Sequence, residues 1–214
     1  MAKELEKYAK PTRSLHWVHL VVFVVLFITG LILFIPGMSL AAQDSWTRLL
    51  HRIGAVIFVI GPIIYLLTNW KKTWSGVKKA FVWGSDDIGW LQAAPRYYFL
   101  GDESAMPPQD EMNSGQKLWW LITIVCGVLF AISGGIMWFG KEAAPAALLQ
   151  WMLFIHDVAF IVAGVMLFVH IYLGVIHPMM KGAWGAITSG KVSEEYAKSH
   201  HAKWYDRATK GKEV

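Results

Sequence analysis

Four long apolar segments, separated by polar ones, dominate the pattern of this chain. No Asp, Glu, Lys or Arg occurs between Arg13 and Asp44, and further uncharged runs cover 53–70, 118–140 and, interrupted only by Asp157, 143–180. About 20 helical residues, each rising ~1.5 Å, cross the ~30 Å hydrocarbon core of a bilayer. The pattern therefore predicts four membrane-spanning helices over 15–35, 51–70, 117–140 and 147–178.

The polar segments predict the orientation of these helices. Seventeen of the twenty Lys and Arg lie in the N-terminal tail, in the loop from Lys71 to Lys117 and in the tail over 181–214. Because cytoplasmic loops carry an excess of Lys and Arg, we expect both termini and the loop 71–116 on the cytoplasmic side of a bacterial inner membrane. Aromatic residues interleaved with Lys predict amphipathic segments in this loop, followed by a solvated turn region over 101–111.

Composition supports a membrane protein and narrows its chemistry. The chain of 214 residues is 55% hydrophobic and only 16% charged, with twelve Trp, and its mean hydropathy is +0.40. A single cysteine, Cys126, excludes an intrachain disulfide and a Cys-ligated iron–sulfur cluster or zinc site. No phosphate-binding loop occurs, and no nucleic-acid partner is expected. The predicted fold is a single all-α domain over 1–214, a four-helix transmembrane bundle with amphipathic cytoplasmic segments.

Eight histidines are distributed unevenly over this pattern. His200 and His201 fall in the C-terminal tail, where we expect solvated surface residues. The other six lie in or at the ends of spans; these are His16, His19, His51, His156, His170 and His177. An ionisable group in hydrocarbon is costly unless it has a partner, so intramembrane histidines indicate a functional site. For His177, which precedes Pro178, we expect only an interfacial residue that ends the fourth span.

The spacing of the histidines predicts two sites at different depths. Fourteen residues separate His156 from His170, so on a straight helix they lie ~21 Å apart on one face of the fourth span. With the predicted orientation, His51 of the second span shares the outer depth with His156. His16 or His19 of the first span shares the inner depth with His170, and spacing does not distinguish these two.

Pairs of imidazoles from facing helices suit the axial positions of a haem iron. Zinc fits less well, because a structural zinc site takes four protein ligands and no depth gathers four donors. A proton relay would have only Asp157 as a carboxylate within a span. Spacing alone thus favours a di-haem membrane cytochrome, and a small transporter or metal-handling membrane protein is the alternative of a different class.

Five segments resemble one family in order along nearly the whole chain. The chain resembles the gamma subunit, or cytochrome b556, of respiratory formate dehydrogenase. It is similar more widely to the di-haem cytochrome b anchors of nickel–iron hydrogenase and thiosulfate reductase, which stay as alternatives. The segments are RSLHWVHL (13–20), RLLHRIGAVIF (48–58), NSGQKLWW (113–120), FIHDVAFIVAGVMLFVHIYLGV (154–175) and GKVSEEYAKSHHAKWYDR (190–207).

The resemblance implies the cofactors and their ligands. It implies two haem b groups, the outer one held by His51 and His156 and the inner one by His16 and His170. The pattern Arg-x-x-His-Trp favours His16 over His19 as the ligand from the first span.

The resemblance also implies a site for menaquinone or another quinone beside the inner haem, with Asn113, Gly115, the haem ligand His170 and the neighbouring Gln116. Asn113 has a second interpretation, as the cap of the third span, and both roles are compatible.

The implied activity is electron transfer within a larger complex. Electrons would pass from an iron–sulfur beta subunit on the outer face through both haems to menaquinone near the cytoplasmic surface. Formate would be oxidised on a separate molybdenum- or tungsten-containing alpha subunit and not on this chain. The implied partners are these subunits, the quinone and the lipid bilayer, and the complex could form a higher oligomer. The roles of Asp157 and His177 stay open.

Overall fold

The fold is described by a computed structural model that covers residues 3–43 and 45–210. The chain divides into two compact units. The first, which we call the spanning unit, consists of Ser14–Trp70 and Ile122–Phe168. The second, which we call the terminal unit, consists of the described residues of Met1–Arg13, Lys71–Leu121 and Val169–Val214.

The described residues are mainly α-helical, as the apolar pattern predicts. The elements, in chain order, are β1 (Glu4–Glu6), α1 (Lys10–Phe34), α2 (Pro36–Ala41), α3 (Trp46–Thr68), α4 (Trp70–Phe81), α5 (Ser85–Leu100), α6 (Ser114–Phe139), α7 (Ala146–Ile171), α8 (Trp184–Thr188), β2 (Lys191–Ser193), α9 (Glu194–His200) and α10 (Ala202–Lys210). A π-helical turn, Tyr172–Ile176, extends α7, and a 3₁₀ segment, Pro178–Ala183, precedes α8.

Four of these helices are long and apolar enough to cross a membrane. They are α1, α3, α6 and α7 with its π-helical extension, which ends at Ile176. The predicted all-α transmembrane bundle is thereby confirmed, while the side of the membrane on which the termini lie stays a prediction. Many apolar side chains of these helices point outward; Val21 is 63% exposed and Phe168 62%. Such faces are suited to lipid or to an apolar partner subunit.

Aromatic rings and small residues pack the spanning unit. The Phe27 ring of α1 lies 5.4 Å from the Phe160 ring of α7. A Cβ at Gly164 would come within 3.0 Å of the Phe27 ring, so this glycine lets the two helices approach. Buried Cys126 of α6 packs with Ala159 and other small or aromatic residues of α7 and α1. Close packing of this kind holds helices together in lipid, where no hydrophobic driving force acts between them.

Two short strands organise the terminal unit. β1 and β2 pair antiparallel, with Leu5 opposite Val192. These two side chains are buried together with Tyr196 and Ala197 of α9. Gly190, with a φ of 89°, adopts the left-handed conformation that favours glycine, and its carbonyl accepts bonds from the amides of Lys7 and Tyr8. The sequence does not predict these strands, because three residues are too short to show a period.

The C-terminal tail is packed rather than solvated, contrary to our expectation. His201 is fully buried; its Nδ1 donates to the Asp110 carbonyl at 2.7 Å, and its Nε2 accepts from Lys7 Nζ at 2.5 Å. Burial lowers the pKa of His201 to about 3 and that of Lys7 to about 7. His201 is therefore neutral at neutral pH, which leaves its Nε2 free to accept from the lysine.

The region 101–111 is only partly solvated, which also differs from our expectation. Glu103 is exposed, but Gln109 is 6% exposed. The backbone carbonyl of Gln109 accepts from the Lys203 amide of α10, so the tail packs on this region. The part of the loop before it, for which amphipathic segments are predicted, forms the helices α4 and α5.

One buried carboxylate joins the starts of α5 and α6. Asp87 accepts from the Gly84 amide at 2.9 Å, from Ser114 Oγ at 2.8 Å and from Lys117 Nζ at 2.8 Å. Burial by itself would raise the pKa of Asp87, but the hydrogen bonds from Lys117, Gly84 and Ser114 together lower it below its ordinary value. The charged carboxylate is thus the form that the fold stabilises.

We expect the substitution Asp87→Asn to destabilise the protein by about 1–3 kcal/mol at neutral pH, because it leaves the Lys117 ammonium without its anion. Since the pKa of Asp87 is lowered in the fold, the carboxylate stabilises above its unfolded-state pKa, and this contribution is lost as the pH falls through the folded-state pKa. Thermal unfolding in detergent at neutral and acid pH measures both effects. Asp206→Asn, at an exposed pair with Lys210, is the control. Equal midpoints for the two variants would contradict this role of Asp87.

Candidate functional site

Two histidines of the spanning unit face each other. His51 lies in the second turn of α3 and His156 lies in α7. Their ring centroids are 6.3 Å apart, with 57° between the ring planes. A metal–imidazole bond is about 2 Å long, so two imidazoles that bind one ion from opposite sides have centroids about 6 Å apart. The spacing of this pair is therefore that of two axial ligands.

A hydroxyl sets the tautomer of His51. Thr29 Oγ1 donates its proton to the Val25 carbonyl of its own helix at 2.7 Å, and it lies 2.8 Å from His51 Nδ1. A hydroxyl has only one proton, so here it accepts from Nδ1–H. The lone pair of the His51 imidazole is consequently on Nε2, the nitrogen that a metal would bind.

The same arrangement sets the tautomer of His156. Ser133 Oγ donates to the Leu129 carbonyl at 2.5 Å and lies 2.9 Å from His156 Nδ1. The Phe130 ring stands edge to face with the imidazole, 5.0 Å between centroids. Ser133 therefore accepts from Nδ1–H of His156, and this ring also carries its lone pair on Nε2.

A glycine follows each of these hydroxyl residues and borders the same imidazole. A Cβ at Gly30 would lie 3.6 Å from His51 Cε1, and one at Gly134 would lie 3.4 Å from His156 Cε1. The helices α1 and α6 thus each place a hydroxyl side chain, and the glycine that follows it, against one histidine of a neighbouring helix. A hydrogen-bond acceptor that orients a ligating imidazole raises the affinity of the site for a metal.

This donor set fits haem better than zinc. None of the hydrogen bonds between described residues uses Nε2 of His51 or His156. In the part of the chain that the structure describes, no three His, Cys, Asp or Glu side chains are grouped so that they could hold a metal ion. Haem carries four nitrogen ligands in its own ring and needs only two axial donors from the protein.

The other predicted ligands lie in different units. His16 belongs to the spanning unit, where its ring stands edge to face with Trp17, 5.5 Å between centroids. His170 belongs to the terminal unit and stacks on Trp119, with 4.3 Å between centroids and 9° between planes. The flat stack orients the His170 imidazole.

Both nitrogens of His19 face backbone carbonyls. Nδ1 lies 3.0 Å from the Leu15 oxygen and Nε2 lies 3.4 Å from the Phe58 oxygen of α3. A Cβ at Gly61 would come within 2.9 Å of the His19 ring, so this glycine gives the ring its space. His19 therefore has the contacts of a residue that joins α1 to α3.

The remaining polar residues near the spans have mixed surroundings. Arg13 donates to the Thr188 carbonyl in the terminal unit, and Arg52 lies over the Trp138 ring at 5.3 Å. Asp157 makes no hydrogen bond or ion pair with any of the described residues. His177 does end the fourth span but is 5% exposed, and its Nε2 donates to the Tyr98 carbonyl at 3.1 Å. His177 thus lies at the end of the fourth span, as expected, and α5 covers it there through Tyr98.

Asn113 caps α6, and its side-chain amino group takes no part in the cap. Its Oδ1 accepts from the Gln116 amide at 2.8 Å, while Gln116 Oε1 accepts from the Asn113 amide at 3.0 Å. This reciprocal pair is a capping box. No hydrogen bond among the described residues uses Nδ2 of Asn113, so the cap leaves both of its N–H groups for a ligand.

Asn113 also lines a cavity of about 250 Å³ in the terminal unit. Aromatic rings of α5, the turn 106–109 and the tail form the other walls; among them are Trp90, Tyr97, Tyr98, Met180 and His200. This volume approaches that of small-ligand sites, which begin at about 300 Å³.

Gly115 and Gln116 act on the cavity indirectly. A Cβ at Gly115 would come within 2.8 Å of Trp90 Cη2, so the glycine allows the Trp90 wall to form. Gln116 serves the cap of Asn113.

Sequence reasoning overlooked Thr29, Ser133, Trp119 and Trp90. Two of them left a detectable signal, because Thr29-Gly30 and Ser133-Gly134 are hydroxyl–glycine pairs inside otherwise apolar spans. Trp119 and Trp90 stand among twelve tryptophans, and nothing local distinguishes them.

Comparison with known proteins gives a family and several relatives. The model of the family described as prokaryotic cytochrome b561 matches residues 7–190. The chain is 26% identical to the formate dehydrogenase cytochrome b556(fdo) subunit of Escherichia coli over 95% of its length and 93% of that protein. It is 27% identical to the nitrate-inducible formate dehydrogenase cytochrome b556(Fdn) subunit of Escherichia coli, over 90% of this chain and 86% of that protein. The formate dehydrogenase cytochrome b556 subunit of Haemophilus influenzae is 24% identical to it, over 93% of this chain and 81% of that protein.

We expect Thr29→Val to weaken haem binding about 10–100-fold, because the variant keeps the shape of the side chain but leaves Nδ1–H of His51 without an acceptor. Ser133→Ala should act in the same way on His156. Haem titration of the purified protein, followed by absorption, measures the affinity. Thr68→Val removes a hydroxyl that bonds the Ile64 carbonyl and is the control. Haem affinity that is unchanged in both variants would contradict the orienting role of the two hydroxyls.

Proposed function

Because the chain belongs to the prokaryotic cytochrome b561 family, we propose that it is the membrane-anchoring cytochrome b subunit of a formate dehydrogenase. In this function it takes electrons from an outer iron–sulfur subunit, carries them through two b haems and passes them to menaquinone near the cytoplasmic side. The observation that carries the proposal is the oriented pair of His51 and His156, together with relatives that cover nearly the whole chain.

The outer haem would be held by the spanning unit alone. Haem b, when bound, supplies an iron that changes its charge by one electron. His51 and His156 would bind this iron through Nε2, while Thr29 and Ser133 hold the rings in the required tautomer. The hydroxyls also satisfy the two Nδ1–H groups, which would otherwise be costly in hydrocarbon.

The inner haem would take His16 of α1 and His170 of α7. The carbonyl contacts of His19 with Leu15 and Phe58 favour His16, since a ligand nitrogen directed at an oxygen is poorly placed for a metal. The stack on Trp119 would hold the His170 ring in one orientation.

Menaquinone, or another quinone, would enter the cavity beside Asn113. The free Nδ2 group can donate to a quinone oxygen while Oδ1 stays in the cap of α6. Gly115 and Gln116 would support this site through Trp90 and through the cap. An aromatic wall with a few polar groups is typical of sites for flat organic ligands.

The proposed partners follow from the names of the relatives. This chain would anchor an iron–sulfur beta subunit and a molybdenum- or tungsten-containing alpha subunit that oxidises formate outside the membrane. Electrons would then move inward while protons are taken up on the cytoplasmic side, so charge is separated by geometry. Asp157, which has no partner among the described residues, is suited to contact such a subunit near the outer surface.

Haem content tests the cofactor proposal. The purified chain should show b-type bands in a reduced-minus-oxidised spectrum and two haems per chain. His156→Ala or His51→Ala should remove one haem, and His170→Ala or His16→Ala the other, because each iron loses an axial ligand. His19→Ala is the matched control and should retain both haems. A chain without b-type bands would instead favour a transporter or metal-handling protein, and loss of haem in His19→Ala but not His16→Ala would contradict our choice of ligand.

The identity of the partner enzyme is tested separately. Affinity purification from gently solubilised membranes should recover an iron–sulfur subunit together with formate-oxidising activity coupled to reduction of the b-type bands. Reduction by hydrogen instead of formate, with a nickel–iron subunit recovered, would assign the chain to a hydrogenase. Recovery of a thiosulfate-reducing subunit would assign it to the third member of this group.

A further inference from the structure

A chain of hydrogen bonds crosses the wall of the cavity in the terminal unit. Tyr97 Oη lies 2.9 Å from His200 Nε2, and His200 Nδ1 lies 2.7 Å from Ser199 Oγ. Tyr97 is 4% exposed and His200 is half-buried, and all three residues line the cavity that Asn113 also lines. The histidine side chain therefore connects two hydroxyls at the edge of one enclosed space.

The direction of these hydrogen bonds can be read from the serine. Ser199 Oγ donates its proton to the Glu195 carbonyl at 3.1 Å, so it accepts from Nδ1–H of His200. Nε2 of His200 then carries a lone pair and accepts from the Tyr97 hydroxyl. This nitrogen is the position at which the neutral imidazole can take up a proton.

Burial and two charged side chains act on the pKa of His200 in different directions. Burial lowers the pKa of His200, Glu103 opposes this effect, and the positive charge of Lys7 adds to it. Glu103 lines the cavity and is exposed to solvent, so it stands where water reaches the wall. The other titratable groups near His200 are Tyr97 on α5, Tyr196, which stacks on the imidazole at 4.2 Å, and His201.

We propose that Tyr97 and His200 deliver to the quinone in this cavity the protons that its reduction consumes, with Glu103 as their entry from solvent. This inference rests on the proposed function, which supplies the electrons from the reduced b haems. Asn113 and Tyr97 both line the cavity, so one quinone can be bound by the amide and protonated by the phenol.

The proton balance requires two passes through the pair for each quinone. Protonated His200 donates from Nε2 to Tyr97 Oη, and the Tyr97 hydroxyl then donates its own proton to the quinone oxygen as the quinone gains an electron. Tyr97 keeps the proton from His200, and neutral His200 takes another from solvent past Glu103. Two electrons and two protons convert the quinone to the quinol.

The test is the reoxidation of the haem-loaded full chain by a defined quinone. The b haems are reduced with stoichiometric dithionite, menadione is added as the quinone, and the loss of the reduced bands is followed by stopped flow. The pH series starts well below about 6.5, the ordinary pKa of histidine, because the pKa of His200 is lowered in the fold. In the wild type the rate should fall as the pH rises, by up to tenfold per unit, because the protonated fraction of His200 falls. Tyr97→Phe should slow reoxidation by about 100-fold or more, the usual contribution of a general acid.

Two further variants make the assignment specific. His200→Gln should slow reoxidation and flatten its pH dependence, since glutamine cannot take up a proton. Tyr205→Phe removes a hydroxyl that donates to Glu194 at 2.5 Å in the same unit, and it should keep the wild-type rate and pH profile.

Each other outcome contradicts a different statement. Variants at Tyr97 and His200 that bind both haems and show the wild-type rate and pH profile would overturn the relay while leaving the proposed function intact. Loss of haem from both variants would also overturn it, because the two residues would then be structural. A wild-type chain that lacks b-type bands, or whose reduced haems do not react with menadione, would overturn the proposed function itself.

Discussion

A neutral imidazole placed in hydrocarbon needs an acceptor for its one N–H, and the spanning unit is arranged around this requirement. Water cannot supply the acceptor there, so a neighbouring helix must. Thr29 and Ser133 can do so because each hydroxyl gives its own proton to a carbonyl one turn back in its helix. The positions of α1 against α3 and of α6 against α7 follow, because each pair must bring a hydroxyl to within 2.9 Å of its ring.

The same hydroxyl chemistry recurs in the terminal unit with a different result. Ser199 also donates to a carbonyl one turn back and so accepts from Nδ1–H of His200. In the spans this leaves the lone pair on Nε2 in two imidazoles whose ring centroids lie 6.3 Å apart. In the terminal unit Nε2 accepts from the Tyr97 hydroxyl at the wall of a cavity. The same hydroxyl arrangement thus orients histidines for which we propose metal binding in the spans and proton transfer in the terminal unit.

In the proposed function, the two units contribute different parts of quinone reduction. The spanning unit contains the histidine pair suited to haem, and in the proposed function it holds the outer haem by itself. The terminal unit contains the cavity, the capping Asn113 and an exposed carboxylate at Glu103, which together suit binding and protonation. The pairing of β1 with β2 joins the described residues near the N-terminus to the tail within this unit, and the Lys203 amide of the tail bonds the Gln109 carbonyl of the loop that lines the cavity.

The sequence by itself determined the four spans, the axial candidates and the family, because these depend on local composition, on periodicity and on segments that keep their order. Only the tertiary structure decided which hydroxyl meets which imidazole, and that the tail is buried. Tyr97 and His200 are 103 residues apart, and Lys7 and His201 are 194 apart. Contacts over such distances leave no local pattern, since each residue taken alone resembles an ordinary surface or interfacial side chain. The carbonyl contacts of His19, which favour His16 as the ligand, were likewise visible only in the tertiary structure.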